Sequence, residues 1–225
     1  MRAIKAIFAK QMHDLPKNIS ILSMFVIWPV MAFLMGQVMG DADIHAGTFT
    51  AMLVGSGPMI AIANNVAEDN EYKGLRFLVM AGVKPWQYLA GLASFIFLIS
   101  LVSLGAMVWI GGFTGTLLVR YIIVSSFGLI VSSILGGAIG IFAKNVQQAT
   151  AIYTPMMMIL AFVPFFAIFN ETIARFAEFL FTYQINMVIF DPYVDFGRAL
   201  LVVGANAAVL LAFFVVAYRK KGLRG

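Results

Sequence analysis

The segment from residue 48 to residue 110 decides the fold, because two long apolar runs in it flank one short charged block. The runs read TFTAMLVGSGPMIAIANNV (48–66) and YLAGLASFIFLISLVSLGAMVWI (88–110), and the block EDNEYKGLR occupies residues 68–76. A helix needs about 20 apolar residues to cross a bilayer, and each run is close to that length. The segment therefore predicts two membrane spans joined by a polar loop at one membrane surface.

Four further apolar runs extend this pattern along the chain. Hydrophobic residues make up 62% of the 225 residues and charged residues 11%, whereas soluble domains are about half apolar and a quarter charged. We therefore predict an all-α polytopic membrane protein with a single transmembrane domain over residues 1–225. The six predicted spans cover residues 19–39, 48–66, 88–110, 121–143, 149–169 and 199–218.

Two segments outside the spans have apolar residues at helical spacing. Residues 2–15 place them on one face and basic residues elsewhere, which predicts an amphipathic helix at the membrane interface. About 29 residues separate the fifth and sixth spans, and Ile173, Phe176 and Leu180 repeat there at steps of three and four. We expect this outer segment to form an amphipathic helix or a helical hairpin that dips into the interface.

The distribution of lysine and arginine predicts the orientation in the membrane. Twelve of the fifteen basic residues flank the spans on one side, and cytoplasmic loops carry such an excess. Both termini and the loop at residues 68–87 are therefore predicted to be cytoplasmic in a multi-pass protein of the cell membrane. The twelve are Arg2, Lys5, Lys10, Lys17, Lys73, Arg76, Lys84, Lys144, Arg219, Lys220, Lys221 and Arg224, and the other three are Arg120, Arg175 and Arg198.

Several classes of function lack their sequence signals. The chain has no cysteine and only two histidines, which argues against a metal site, and it has no Gly-x-x-x-x-Gly-Lys-Ser/Thr loop for ATP. None of the spans carries an ionisable residue near its centre, so a membrane-embedded enzyme is the third-ranked interpretation. The net charge is +5, but the basic residues flank the spans and form no continuous basic stripe, which argues against binding of nucleic acid. We expect no catalytic residue and no cofactor in this chain.

The loop at residues 68–87 has helical spacing of its own. Leu75, Leu78 and Val79 repeat as on a helix, Gly82 permits a sharp turn, and Pro85 suits the first turn of the next helix. The sequence predicts a short helix, a break and a helix that enters the membrane beside Trp86. An ordinary solvated loop is the alternative interpretation.

The loop and the start of the third span carry a pattern of four parts: Glu68 and Glu71, then Gly74-Leu75-Arg76-Phe77-Leu78, then Ala81-Gly82-Val83, then Trp86-Gln87-Tyr88-Leu89-Ala90-Gly91. In this pattern the chain resembles the permease subunits of ABC type-2 transporters. The resemblance extends over essentially the whole chain, from the N-terminal helix to the outer segment before the sixth span. The family commonly has threonine after the glycine and a Thr-Pro pair at the turn, where this chain has Leu75 and Ala81-Gly82. The subfamily therefore stays open.

The resemblance implies a function for the cytoplasmic loop. In the family this loop holds a coupling helix that docks on a separate nucleotide-binding subunit, where ATP and Mg²⁺ bind. A second permease chain, identical or homologous, completes the exporter. The acidic outer side and apolar interior of this chain suit an amphipathic substrate such as a peptide antibiotic, drug or lipid. A non-transporting membrane sensor or assembly subunit is the alternative. The residues to which the resemblance assigns ATPase coupling are Glu68, Glu71, Lys73, Gly74, Arg76, Gly82, Lys84 and Trp86.

Three further groups of residues carry hypotheses about contacts within the membrane domain. Glu68 or Glu71 is predicted to pair with Lys5 or Lys10, or else to be solvated. Four polar residues lie within the second and fifth spans: Asn64, Asn65, Tyr153 and Thr154. They are predicted to line a substrate path or, alternatively, to form hydrogen bonds between helices. Small residues recur every four positions in the fourth span, which predicts close helix packing within one subunit or between two permeases, at Gly128, Ser132, Gly136 and Gly140.

Overall fold

The protein is described by a computed structural model covering residues 2–14, 18–167, 169–191 and 193–224. This part of the chain is helical and contains no strand, which confirms the all-α prediction. Ten helices follow one another in the described residues. They are α1 (Arg2–Asp14), α2 (Ile19–Met39), α3 (Ala42–Glu71), α4 (Gly74–Met80), α5 (Pro85–Gly111), α6 (Gly115–Phe142), α7 (Val146–Ala167), α8 (Glu171–Ala177), α9 (Phe181–Phe190) and α10 (Phe196–Arg224).

Six of these helices are long and apolar enough to cross a membrane: α2, α3, α5, α6, α7 and α10. They coincide with the six predicted spans, but several are longer than their apolar runs. The largest difference is in α3, which covers residues 42–71 where the prediction gave 48–66. At about 1.5 Å per residue this helix is about 45 Å long, against a hydrocarbon core of about 30 Å. Its polar ends therefore extend beyond the hydrocarbon region.

Helix α3 is the axis of the bundle. All of its residues from 50 to 63 are buried, whereas α2 and α10 leave most of their apolar surface exposed. Its glycines permit close neighbours, since a Cβ atom at Gly47 would lie 2.8 Å from Ile189 and one at Gly57 would lie 3.1 Å from Phe25. The least hydrophobic of the six spanning helices is thus the one that its neighbours shield from lipid.

Helix α6 packs against α3 along the predicted row of small residues. A Cβ atom at Gly136 would collide with the backbone of Met59, and one at Gly140 would lie 2.5 Å from Val66. Gly128 faces Ile185 of α9, and Ser132 is buried in the same part of the helix. The three glycines of the row therefore pack against other helices of the same chain.

The outer segment forms two short helices, and α9 lies deeper than a helix at the interface. Thr182 contacts Gly55 in the middle of α3, and Ile189 contacts Gly47 near the beginning of α3. The amide of Asn206, ten residues into α10, donates to the carbonyl of Phe179 at 3.1 Å. Helix α9 thus runs from the middle of α3 towards the end of the bundle where α3 begins. Seven of its ten residues are buried, and they are Phe181, Thr182, Gln184, Ile185, Asn186, Val188 and Ile189.

The two ends of the bundle differ in what they carry. Helices α1 and α4, the beginning of α5 and the last turns of α10 meet at one end, which we call the terminal end. Ile7 of α1 packs on Gly91 of α5, and Tyr88 of α5 packs on Tyr218 of α10 with ring centroids 5.7 Å apart. The opposite end carries α8 and α9, where Arg198 and Glu178 form an ion pair of 2.9 Å.

Candidate functional site

The charged block of the sequence begins in the last turn of α3 and continues into α4 at the terminal end. Tyr72 and Lys73 form the turn between these helices, and Lys73 adopts a left-handed conformation with φ of 59°. Gly74 then begins α4, where a Cβ atom would lie 3.3 Å from the carbonyl oxygen of Asp69. A glycine at this position therefore lets α4 begin in close contact with the end of α3.

Helix α4 ends in a Schellman motif, which is a compact helix stop with a left-handed residue. The amide of Gly82 donates to the carbonyl of Val79 at 3.0 Å, and the amide of Val83 donates to that of Leu78 at 3.0 Å. Gly82 has φ of 76°, a conformation that costs glycine little and most other residues about 1 kcal/mol. The predicted break after the short helix is therefore present, and Gly82 makes it.

The next helix, α5, begins three residues after Gly82. Pro85 occupies the first turn of α5, where its missing N–H costs no hydrogen bond. The side-chain oxygen of Gln87 accepts from the backbone N–H of Lys84 at 3.0 Å, which satisfies one donor at the helix start. The loop that the sequence predicted as helix, break and helix thus consists of a short helix, a hydrogen-bonded turn and the start of α5.

The carboxylate of Asp69 joins three helices at this end. The Lys10 ammonium of α1 donates to one oxygen at 2.9 Å, and the Tyr88 hydroxyl of α5 donates to the other at 2.8 Å. The side chain of Asp69 is 15% exposed, whereas that of Lys10 is 55% exposed. The predicted ion pair joined Lys5 or Lys10 to Glu68 or Glu71. Lys10 does form an ion pair, but with Asp69. Glu68 and Glu71 face outward as exposed residues.

The neighbouring Asn70 joins α3 to α6. Its side-chain nitrogen lies 3.3, 3.0 and 2.7 Å from the carbonyl oxygens of Gly140, Ile141 and Ala143. These carbonyls belong to the last turn of α6, where no further turn supplies amide donors. Asn70 therefore caps the C-terminus of a helix that lies 70 residues away in sequence.

Helix α10 is tied to the same region by Tyr218. Its ring packs against Tyr88, and its hydroxyl donates to the carbonyl of Val83 at 3.3 Å, in the turn between α4 and α5. Together with the contacts of Asp69 and Asn70, this bond connects the α3–α4–α5 turn region to α1, α6 and α10. A displacement of α4 would therefore act on most of the bundle.

The outer surface of this region carries large exposed apolar side chains. Tyr72 is 74% exposed, Phe77 is 66% exposed and Met80 is 62% exposed, next to the exposed charges Glu68 and Glu71. Trp86 and Lys84 are exposed at the beginning of α5. Apolar patches rimmed by charge mark interaction surfaces when they lie outside the membrane. The side chain of Arg76, which the sequence also assigned to this surface, lies outside the described residues.

The second predicted group lies on α3 and α7, which pack against each other. Leu160 of α7 contacts Gly55 of α3, so in this antiparallel pair Asn64 and Asn65 lie near the level of residues 150 and 151. The Asn65 amide donates to the carbonyl of Ala61 at 2.8 Å, within its own helix. Thr154 likewise bonds to Thr150 of α7, and Tyr153 is 3.0 Å from the Thr150 hydroxyl. The four residues are therefore close in depth, but these bonds stay within single helices.

Sequence reasoning missed Asp69 and Asn70 because it treated the block as one charged surface. The helical register of α3 distinguishes the residues of the block that face other helices from those that face outward. Val66 faces Gly140 of α6, and Asn70 is four residues beyond Val66 on the same helical face. Extending that face by one turn past the apolar run would have placed Asn70 at the end of α6.

Comparison with models of known protein families returned no match for this chain, and no curated protein matches its sequence. Among the described residues, no three histidine, aspartate or glutamate side chains are grouped as metal ligands would be. What the site can do must therefore be inferred from its own geometry.

We predict that Asn70→Asp weakens the attachment of α3 to α6. The aspartate would lose the donor and place a carboxylate against carbonyl oxygens, at a cost of about 1–3 kcal/mol in the free energy of unfolding. Unfolding in detergent micelles measures the loss, and hydrogen exchange should be faster at the amides of residues 140–143. Glu71→Gln, at the exposed next position, is the control. Equal stability of the two variants would contradict the capping role.

We also predict energetic coupling between Lys10 and Asp69. A double-mutant cycle with Lys10→Met and Asp69→Asn should give about 1 kcal/mol, the upper part of the range for exposed pairs, because Asp69 is mostly buried. The matched cycle with Lys10→Met and Glu68→Gln should give a coupling energy near zero. If the second cycle gives the larger coupling energy, the carboxylate that pairs with Lys10 is wrongly assigned.

Proposed function

We propose that this chain is the permease subunit of an ABC type-2 exporter, and that α4 is its coupling helix. The proposal places both termini and α4 in the cytoplasm, in line with the excess of basic residues near that end. A separate ATPase subunit would bind ATP and Mg²⁺ and dock on α4. This chain would contribute the path for the substrate and no covalent chemistry.

The observation that carries the proposal is the exposed apolar surface of α4, which directly follows the last turn of the spanning helix α3. Phe77 and Met80 project from a seven-residue helix that is held at both ends by tight turns. An exposed phenylalanine and methionine in water favour burial against a protein partner, at about 25 cal/mol per Å² of apolar area. Glu68, Glu71 and Lys73 at the edge of this surface would supply charged contacts.

The second line of support is the attachment of α4 to the rest of the bundle. Asp69 and Asn70 lie at the end of the central helix α3, directly before α4, and bond to α1, α5 and α6. Force applied at α4 by a closing ATPase would therefore reach α3 within one helical turn. Such a linkage suits a transporter that alternates between inward and outward openings.

The partner permease and the substrate are further parts of the proposal. Helices α2 and α7 present exposed apolar faces, with Val26, Phe33 and Met158 among their residues, and a second permease chain would cover part of this surface. The interior between α3 and α7, near Asn64 and Tyr153, is the proposed path. An amphipathic substrate fits an apolar interior with a few polar groups.

The experiment that tests the proposal is co-purification with an ATPase, followed by reconstitution. The wild-type chain, affinity-purified from its native membrane in mild detergent, should retain a nucleotide-binding subunit, and the complex should hydrolyse ATP in proteoliposomes. Phe77→Asp should abolish retention and reduce turnover by at least ten-fold. Phe176→Asp, at a phenylalanine that is 74% exposed on α8 at the opposite end, should change neither.

Three outcomes separate the interpretations. Loss of the ATPase only in the α4 variant, with ATP-dependent substrate movement in the wild type, supports the exporter. Retention of the ATPase without any transport favours the non-transporting sensor or assembly subunit. Absence of a nucleotide-binding partner, or equal effects of the two substitutions, contradicts the proposal.

A further inference from the structure

A lateral groove of about 600 Å³ opens between α5, α6 and α10 on the membrane-facing side of the bundle. Its walls are apolar and include Leu89, Phe97, Ile130 and Leu211. The groove contains two hydroxyl groups, and both are already bonded within their own helices. Ser94 donates to Gly91 at 2.9 Å and Ser133 donates to Leu129 at 2.7 Å. The groove therefore offers an occupant mainly dispersion contacts, because its two hydroxyl donors are already used and its walls are otherwise mostly apolar, which suits an alkyl chain.

Small residues on α5 create the groove. Ala90, Ala93 and Ser94 lie between Trp86 and Phe97, so the helix surface is hollow where larger side chains would fill it. The groove extends along α5 from Trp86 to Leu98, which is about 18 Å at about 1.5 Å per residue. Half of a hydrocarbon core is about 15 Å thick, so the groove matches one leaflet in length.

A second cavity, of about 640 Å³, adjoins the groove at the terminal end and shares Trp86 with it. Lys84 and Arg219 line this cavity, and none of the described residues that line it is acidic. The bond from the Tyr218 hydroxyl to the carbonyl of Val83 holds the residues before these two cations against each other. Two positive charges therefore stand at the mouth of an apolar groove, with an indole between them and the groove.

We propose that the groove and the adjoining cavity form a binding site for one anionic phospholipid of the leaflet at the terminal end. The phosphate would lie between Lys84 and Arg219, the glycerol region beside Trp86, and an acyl chain along Ala93 and Phe97. Tryptophan suits the boundary between headgroups and hydrocarbon, and each basic residue there attracts anionic lipid. The site does not depend on transport, so it stands or fails separately from the proposed function.

Charge complementarity distinguishes this occupant from a second copy of the chain. A neighbouring copy in the membrane would bring apolar helix faces against the groove, and such faces offer no anionic group to Lys84 and Arg219. A phospholipid has the anionic headgroup and the alkyl chain in one molecule, and the two cavities adjoin at Trp86.

Native mass spectrometry of the delipidated protein, with added phosphatidylglycerol or phosphatidylcholine, tests the charge requirement. The wild type should retain phosphatidylglycerol in preference to phosphatidylcholine. The double variant Lys84→Gln with Arg219→Gln should lose about 25-fold in affinity for phosphatidylglycerol, at about five-fold for each cation. The matched control removes two exposed charges outside the two cavities, by Lys5→Gln with Lys144→Gln, and should retain it. Equal retention of the two lipids, or no loss in the double variant, overturns the proposal.

Filling the groove tests the position of the acyl chain. Ala93→Phe should reduce phosphatidylglycerol binding at least ten-fold, whereas Ala205→Phe, on an exposed part of α10 outside the groove, should leave it unchanged. Leu98→Cys places a single cysteine in the groove of this cysteine-free chain, so a disulfide between two chains would detect a second copy that packs there. A disulfide-linked dimer that forms in the membrane and excludes phosphatidylglycerol would show that the groove joins two copies, and would also overturn the lipid site.

Discussion

The carboxylate of Asp69 is the constraint on which the terminal end of the molecule depends. It accepts from Lys10 and Tyr88 at the last turn of the central helix, so α1, α3 and α5 have a fixed relation there. Asn70 adds α6, and Tyr218 adds α10. Because these bonds come directly before and after α4, that short helix cannot shift independently of the bundle.

The position of each spanning helix in the bundle follows from how many polar residues it must shield from lipid. The central helix α3 carries Thr50, Ser56 and Asn64, which would be costly against hydrocarbon, and its neighbours cover it. The hydroxyl of Ser56 accepts from the Trp28 indole of α2 at 3.1 Å, and that of Thr50 lies 2.9 Å from the Tyr121 hydroxyl of α6. The perimeter helices are mostly apolar on their exposed faces. The helix with the most polar groups is thus covered by helices whose exposed faces are apolar, as a lipid solvent requires.

Much of the fold could be predicted from the sequence, because a bilayer demands one apolar run of about 20 residues for each crossing. The break at Gly82 was also predictable, since few residues other than glycine adopt a positive φ easily. The depth of α9 in the bundle was not predictable. An apolar pattern at helical spacing shows which face of a helix is buried but not how deeply the helix inserts. Its position depends on Gly128 and Gly55, which lie more than 50 and 120 residues before it, and such distant contacts leave no local signal. For the same reason the sequence placed an ion pair near Lys10 but chose the wrong carboxylate.

The central claim is that Asp69 holds α4 in a fixed position relative to α1. The cysteine-free chain allows spin labels at Met12→Cys and Met80→Cys, two exposed positions on α1 and α4, without background labelling. Pulsed electron paramagnetic resonance in nanodiscs should give one narrow distance distribution in the otherwise wild-type chain. The same distribution should persist with Glu68→Ala and broaden with Asp69→Ala. An equally narrow distribution in the Asp69→Ala variant would contradict the claim.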